Sequence, residues 1–180
     1  KTKIEVLNNW FTPNLKNIGC KLDLSKTILK NKKVFIYAGN IGLAQGFDII
    51  INVANRLQKN DEIGFLFIGR GSQFEKMREV VRNKNILNVL FHEQIDNSQI
   101  INLYKQCYCG IVLLDRRHKT HNIPGKFISY LHSGLPVFAL VNSNNDLIPF
   151  VNKNKIGIAT DLFDENEIIK IILKLKNYKK

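Results

Sequence analysis

Short apolar runs alternate with segments of helical periodicity from Lys33 onward, and this alternation is the feature that most constrains the fold. A continuous apolar run is typical of a strand that is buried on both faces of a sheet. The segments between the runs carry apolar residues at i, i+3, i+4 and i+7, which is the pattern of an amphipathic helix. Strands are predicted over residues 34–38, 64–68, 86–91, 110–114, 136–140 and 156–159.

Several polar residues and one glycine predict where individual helices begin and end. We expect Ser72, Asn97 and Asp164 to cap the starts of three helices with their side-chain oxygens. Gly134 is expected to end a helix that begins near Gly125, because glycine readily adopts the left-handed conformation found at helix ends.

A strand followed by a helix, repeated along the chain, predicts a doubly wound α/β fold with a parallel sheet covered on both faces. The length of 180 residues suffices for one full domain with a sizeable core. We expect residues 33–180 to form that domain, and residues 1–32 to form an opening strand over 3–7 and a linker. The sequence shows no signal-peptide pattern and no apolar run that could span a bilayer. It also lacks an initiator Met, so we expect a fragment of a longer protein.

The sequence is strongly basic, with 27 Lys and Arg against 15 Asp and Glu. This balance favours an anionic partner, and the alternative is drift of an AT-rich genome toward Lys, Asn and Ile codons. Aromatic residues do not interleave with the basic clusters, which argues against nucleic acid and favours a phosphorylated ligand. The basic tail from Lys174 to Lys180 follows an apolar helix, so we expect peripheral contact with an anionic membrane surface. The alternative is that this helix packs on the sheet and its lysines are merely solvated.

The cysteines and histidines give little sign of metal or covalent chemistry. Three cysteines are too few for a disulfide framework or a zinc knuckle, and a reduced, cytoplasmic setting fits best. His118 and His121 lie in one polar loop with only Asp115 nearby, which is a weak metal signal. We therefore predict no metal and no cofactor. The sequence also lacks a G-x-S-x-G elbow.

Candidate binding residues lie in loops that follow the predicted strands. In an open parallel sheet, ligands bind at the carboxyl ends of the strands, where the strand order reverses. The first loop contains Gly39, Asn40, Gly42, Gln45 and Gly46, and its glycines would let a ligand approach the backbone at a helix N-terminus. The pattern is neither G-x-G-x-x-G nor a P-loop. A tight turn with no ligand is the alternative.

Two further loops carry cationic side chains. Arg70 follows the second strand and could contact a phosphate or a ribose, or could be an ordinary surface arginine. Pro124, Gly125 and Lys126 begin a helix after the fourth strand. Backbone N–H groups at a helix start, together with Lys126, would bind a diphosphate well.

These loops together resemble the C-terminal domain of GT-B glycosyltransferases, and most closely the family-four bacterial transferases of cell-surface polysaccharide synthesis. The run Tyr37–Asp48 is similar to the first strand and loop of that domain. Further similar segments follow in the same order, at residues 67–71, 88–91, 104–109 and 124–137. Phe91 is the last residue of the segment 88–91, and through this resemblance we include it among the candidate binding residues.

The resemblance implies a two-domain enzyme in which the C-terminal, Rossmann-like domain holds a nucleotide-diphosphate sugar and the absent N-terminal domain binds the acceptor. It implies transfer with retention of configuration, no bound metal, a UDP-sugar donor and a glycan or lipid-linked acceptor. This chain would be the donor-binding half, inactive in isolation. The alternative is a non-enzymatic nucleotide-binding or partner-binding module.

The sequence departs from the family pattern at four positions. Asn40 and Gln45 stand where many members carry an Arg and a Lys that face the diphosphate. His121 and Ser129 stand where many members carry a Glu-x7-Glu pair for the donor sugar and the ribose. Ser129 could still bond one hydroxyl, but it lacks the two acceptor oxygens of a carboxylate.

Overall fold

The computed structural model describes residues 19–117 and 123–178. The strands in these ranges are β1 (Lys33–Asn40), β2 (Ile63–Arg70), β3 (Val89–Glu93), β4 (Cys109–Leu113), β5 (Val137–Leu140) and β6 (Gly157–Thr160). The α-helices are α1 (Phe47–Leu57), α2 (Phe74–Asn83), α3 (Asn97–Tyr104), α4 (Gly125–His132), α5 (Leu147–Lys153) and α6 (Glu165–Leu175). Two short 3-10 turns cover Leu24–Lys26 and Leu43–Gln45.

The strands form one parallel sheet in the order β3-β2-β1-β4-β5-β6. The chain winds outward from β1 to β3, returns to the middle at β4, and then winds outward in the other direction. This topology confirms the predicted Rossmann-like, doubly wound fold. The order reverses between β1 and β4, so a crevice opens where these two strands end.

Each face of the sheet is covered by its own apolar core. Phe35 and Tyr37 of β1 belong to the core beneath α1, α2 and α6. Ile36 and Ala38 of the same strand belong to the opposite core, beneath α3, α4 and α5. Successive side chains of a strand point to opposite faces, so an uninterrupted apolar run is what a strand between two helical layers requires.

Two helix caps differ from the sequence prediction. The helix expected to be capped by Ser72 begins at Phe74, and no side chain caps it. The N–H of Gln73 instead donates to the carbonyl of Ile41, 3.0 Å away, so the loop after β1 takes the place of a side-chain cap. The cap predicted at Asn97 is provided by Asp96, whose carboxylate accepts from Ser98 N at 2.7 Å.

The cap predicted at Asp164 is confirmed, since its carboxylate accepts from two backbone N–H groups of α6, at 3.0 Å each. We expect Asp164→Ala to lower the free energy of unfolding by about 1 kcal/mol. Asp146→Ala is the matched control, because Asp146 precedes α5 without forming a side-chain cap. Urea denaturation measures the free energy of unfolding of both variants and of the wild type. Equal losses would show that the two capping bonds of Asp164 do not stabilise the helix.

The segment before β1 is partly described and packs on the domain. Leu24 and Leu29 are buried in the core beneath α3, α4 and α5. The domain boundary at residue 33 stays a prediction, and the opening strand predicted over 3–7 lies outside the described residues. None of the helices in the described ranges has the length and apolar character needed to cross a membrane.

The last helix, α6, packs on the sheet. This packing is what we expected if the basic tail does not contact a membrane. Ile168, Ile172 and Leu175 of α6 are buried in the core. The Lys176 ammonium lies 2.6 Å from the Glu62 carboxylate. Contact of the remaining basic tail with an anionic membrane stays a prediction, and its last two residues lie outside the described ranges.

Candidate functional site

A pocket of about 530 Å³ opens at the carboxyl ends of β1 and β2, between α3 and α4. Five residues predicted from the sequence line it: Gly39, Asn40, Arg70, Lys126 and Ser129. The other lining residues are Ala38, Ile68, Gly69, Gln94, Ile95, Asn97, Ile100 and Tyr104. The pocket therefore joins residues from four elements at the edge of the sheet where a doubly wound fold binds its ligands.

Lys126 places its ammonium over the end of β1. The Nζ atom lies 3.5 Å from the centroid of the Tyr37 ring, a cation–π contact. Within the described ranges, no acceptor forms a hydrogen bond or ion pair with this ammonium, and its burial lowers the pKa of Lys126 to about 7. An anion in the pocket would stabilise the charged form of Lys126.

Gly39 makes room for this lysine. A Cβ atom at residue 39 would lie 3.2 Å from Lys126 Nζ, and the φ of Gly39 is 136°, which side-chain-bearing residues rarely adopt. Glycine thus lets the ammonium lie close to the backbone at the end of β1.

The loop after β1 holds its shape through its own amide side chains. Gln45 Oε1 accepts from Gly42 N at 2.9 Å and from Asn40 Nδ2 at 3.3 Å. Gly46 then adopts a left-handed conformation, with φ 61°, before α1 begins. Asn40 reaches the pocket, whereas Gly42, Gln45 and Gly46 shape the turn behind it.

The loop after β4 is bonded to this loop, and it contains an ion pair that the sequence analysis did not predict. Asp115, two residues after β4, donates its backbone N–H to the carbonyl of Ala44 at 2.9 Å. Its carboxylate accepts from the Arg117 guanidinium at 2.8 and 2.9 Å, and the bonds from Arg117 lower the pKa of Asp115. The two loops at the crevice are therefore joined, and Arg117 neutralises a carboxylate that would otherwise repel an anion.

Two buried tyrosines fix the end of β1 beneath the pocket. The Tyr37 hydroxyl donates to the carbonyl of Asn40 at 2.6 Å, and the Tyr130 hydroxyl accepts from Ala38 N at 3.0 Å. Burial raises the pKa of both phenols, so they remain neutral near neutral pH. The position of the backbone beside Lys126 is set by these two bonds.

The remaining predicted residues lie around the pocket rather than in its wall. Phe91 packs against Phe67 and Phe74, with ring centroids 5.1 and 5.6 Å apart, in the core beneath α1 and α2. Pro124 occupies the N-cap position of α4, whose first residue is Gly125. His121 lies outside the described residues.

The predicted set omitted one wall of the pocket, formed by the loop after β3 and by α3. In the sequence, Ile100 and Tyr104 fall on the apolar side of the helix predicted after Asn97, and Tyr104 also begins the similar segment 104–109, but neither was predicted as a binding residue. Periodicity identifies the buried face of a helix, but it does not show that one end of that face borders an open pocket. In the described part of the chain, no three His, Cys, Asp or Glu side chains are grouped so as to hold a metal ion.

The sequence profile of the family described as "Glycosyl transferases group 1" matches residues 22–179. The chain belongs to this family. The resemblance seen in the loop motifs is thereby confirmed at the level of the family.

Individual relatives of this group 1 chain agree with the family assignment. It is 27% identical over 104 residues to WcaI of Escherichia coli (strain K12), a protein named as a glycosyl transferase of colanic acid biosynthesis. That match covers 58% of this chain and 25% of WcaI, so the chain spans a small part of that relative.

Solved structures of GT-B glycosyltransferases share the fold. A Staphylococcus aureus TarM mutant in complex with fondaparinux, alpha-GlcNAc-glycerol and UDP matches with a TM-score of 0.67 and 19% identity, over 82% of this chain and 29% of TarM. Anabaena HepE in complex with UDP-glucose matches with a TM-score of 0.60 and 15% identity, over 83% of this chain and 40% of HepE.

Proposed function

We propose that this group 1 chain is the donor-binding half of a retaining glycosyltransferase, and that it holds the diphosphate of a UDP-sugar in the pocket between α3 and α4. The observation that carries the proposal is the ammonium of the half-buried Lys126, which has no ion-pair partner in the described ranges and lies beside Gly39 at the switch point of the sheet. An ammonium that is partly withdrawn from water, with no carboxylate paired to it in the described part of the chain, is unfavourable in the pocket without an anion. It becomes favourable when an anion enters.

The backbone around Lys126 adds to this preference for an anion. Lys126 is the second residue of α4, so the N–H groups at the start of that helix lie at the same end of the pocket as the ammonium. The Asp115 carboxylate, in the adjoining loop after β4, is already paired with Arg117. The Asp96 carboxylate, in the loop after β3, accepts from Ser98 N at the start of α3. The charge at this end of the pocket therefore suits a diphosphate.

Neutral side chains complete the donor site in this proposal. Asn40 and Ser129 face the pocket with groups that can bond hydroxyls. Within the described ranges, the Ser129 hydroxyl donates a single long bond, 3.4 Å to the carbonyl of Gly125, so a ribose hydroxyl could replace that carbonyl at little cost. Arg70 lies beside Asn40 in the register of β1 and β2 and adds a second cation at the rim.

The comparisons support a nucleotide-sugar donor, because the TarM structure contains UDP and the HepE structure contains UDP-glucose. We infer that the acceptor, a glycan or a lipid-linked sugar, is bound by a second domain. Since the chain spans 25% of WcaI, we expect it to bind donor without catalysing transfer on its own.

Titration of the 15N-labelled chain with UDP-glucose tests this proposal by NMR. We expect weak, saturable shifts at the amides of Gly39, Gly69 and Ser129, because the chain supplies only one wall of a two-domain cleft. Glucose alone, which has no diphosphate, should cause no shifts at these amides. Absence of shifts at millimolar UDP-glucose, or shifts confined to other surfaces, would refute the assignment of the site.

A further inference from the structure

One buried side chain in the wall of the pocket has a polar atom that the fold leaves unused. Tyr104, at the end of α3, is 3% exposed and lines the pocket. Its ring packs edge-on against Tyr130, with centroids 5.1 Å apart. Within the described ranges, its hydroxyl has no hydrogen-bond partner.

The Tyr104 hydroxyl is nevertheless not sealed inside the protein. In the part of the chain that the structure describes, Asn88 Oδ1 alone is both fully enclosed and without a partner among side-chain polar atoms. The Tyr104 oxygen therefore keeps access to the pocket. Burial also raises the pKa of Tyr104, so the phenol retains its proton and can donate it in a hydrogen bond.

The hydroxyls of two other tyrosines near the pocket, Tyr37 and Tyr130, both form hydrogen bonds within the protein. The Tyr130 hydroxyl accepts from Ala38 N, and the Tyr37 hydroxyl donates to Asn40 O, so both serve the fold. The Tyr104 hydroxyl serves no contact within the described chain. A buried polar group without a partner costs free energy unless a ligand or water satisfies it.

The surroundings of Tyr104 indicate which part of a ligand it would meet. Ile68, Ile95 and Ile100 line the same pocket and are apolar, whereas the ammonium of Lys126 belongs to the wall formed by α4. An apolar wall with one hydroxyl suits an uncharged, flat group that carries a hydrogen-bond acceptor. The anionic part of the ligand is better placed at Lys126.

We propose that Tyr104 is a specificity-determining residue that donates a hydrogen bond to an acceptor atom in the nucleoside part of the donor. This inference rests on the proposed donor site and adds to it a residue that recognises the uncharged end of the nucleotide. The Tyr104 hydroxyl then distinguishes a nucleoside diphosphate from a bare diphosphate.

Tyr104→Phe removes the hydroxyl alone and tests the inference by calorimetry. We expect the affinity for UDP and for UDP-glucose to fall about fivefold to tenfold, the effect of one lost hydrogen bond. The affinity for inorganic pyrophosphate should not change, since it lacks a nucleoside. The melting temperature should also stay within about a degree, because no bond within the protein is lost.

Tyr130→Phe is the matched control. It removes a hydroxyl that bonds Ala38 N, so it should lower the melting temperature and need not discriminate UDP from pyrophosphate. Wild-type affinity for UDP and UDP-glucose is measured first, and its absence would count against the proposed function itself. If the wild type binds and Tyr104→Phe binds UDP equally well, the inference is overturned. A loss for UDP-glucose but not for UDP also overturns the assignment to the nucleoside.

Discussion

Gly69→Ala should destabilise the domain by about 3 kcal/mol or more, because the added methyl group would collide with the neighbouring strand. A Cβ atom at this position would lie 1.8 Å from the carbonyl oxygen of Gly39. The φ of Gly69 is 149°, which alanine adopts only with strain. Since the obstacle is backbone in the register of β1 and β2, no side chain can rotate away to relieve it.

Thermal unfolding measures this effect, and a loss of 3 kcal/mol corresponds to a fall of roughly 6–12 °C in Tm for a domain of this size. Gly125→Ala is the matched control. In the described part of the chain, a Cβ placed there meets no atom within 4 Å beyond its chain neighbours and its own helix backbone, and alanine is the better helix former at the first residue of α4. Equal Tm values for the two variants would show that the ends of β1 and β2 can separate without cost.

The glycines at the strand ends illustrate what the sequence could and could not predict. Gly39 and Gly69 end apolar runs, and that pattern was enough to predict strands that stop at a ligand-binding edge. The close approach of the two glycines depends on which strands are neighbours. The order of the strands is a property of the whole fold, and no local pattern contains it.

Caps and loops were predicted less well than strands, for a physical reason. The start of α2 is stabilised by the carbonyl of Ile41, a residue more than thirty positions earlier, so the local Ser72 signal was misleading. The pair of Asp115 and Arg117 is close in sequence, but its function depends on the bond from Asp115 N to Ala44. Long-range backbone bonds of this kind leave no mark in residue spacing.

In the candidate site too, a local sequence pattern identified some residues, whereas the positions of others depend on the whole fold. Lys126 was predicted because a cation at a helix start after a parallel strand is a local pattern. Phe91 was included through the resemblance, yet its ring packs in the core on the other face of the sheet. Tyr104 was overlooked as a site residue because a buried aromatic residue in a helix is usually part of the core, and only the folded structure shows that it also lines the pocket.

The pKa of Lys126 determines how donor binding should depend on pH. In the empty pocket the pKa is lowered from 10.5 to about 7, so above pH 7 the side chain is mostly neutral. A bound diphosphate favours the ammonium and raises this pKa again. The protein must therefore take up a proton on binding above pH 7, and affinity should fall as the pH rises from 7 toward the pKa of the complex.

Calorimetry with UDP-glucose, in two buffers that differ in ionisation enthalpy, measures this uptake. At pH 8 most Lys126 side chains are neutral in the pocket without ligand, so we expect a clear net uptake of protons on binding. At pH 5.5 the side chain is already charged, and the uptake should be close to zero. UDP-glucose is a suitable probe because its diphosphate, esterified at both ends, keeps a constant charge over this range.

Lys126→Met should weaken UDP-glucose binding about tenfold to a hundredfold at pH 6 and should abolish the proton uptake at pH 8. Methionine keeps the apolar stem but removes the charge, and a charge-assisted bond contributes about 1.5–3 kcal/mol. The matched control is Lys153→Met, which removes an exposed lysine at the end of α5, away from the pocket. We expect that control to bind as the wild type does. Undiminished proton uptake in Lys126→Met would mean that another group charges on binding, and the diphosphate would then have to be placed elsewhere in the pocket.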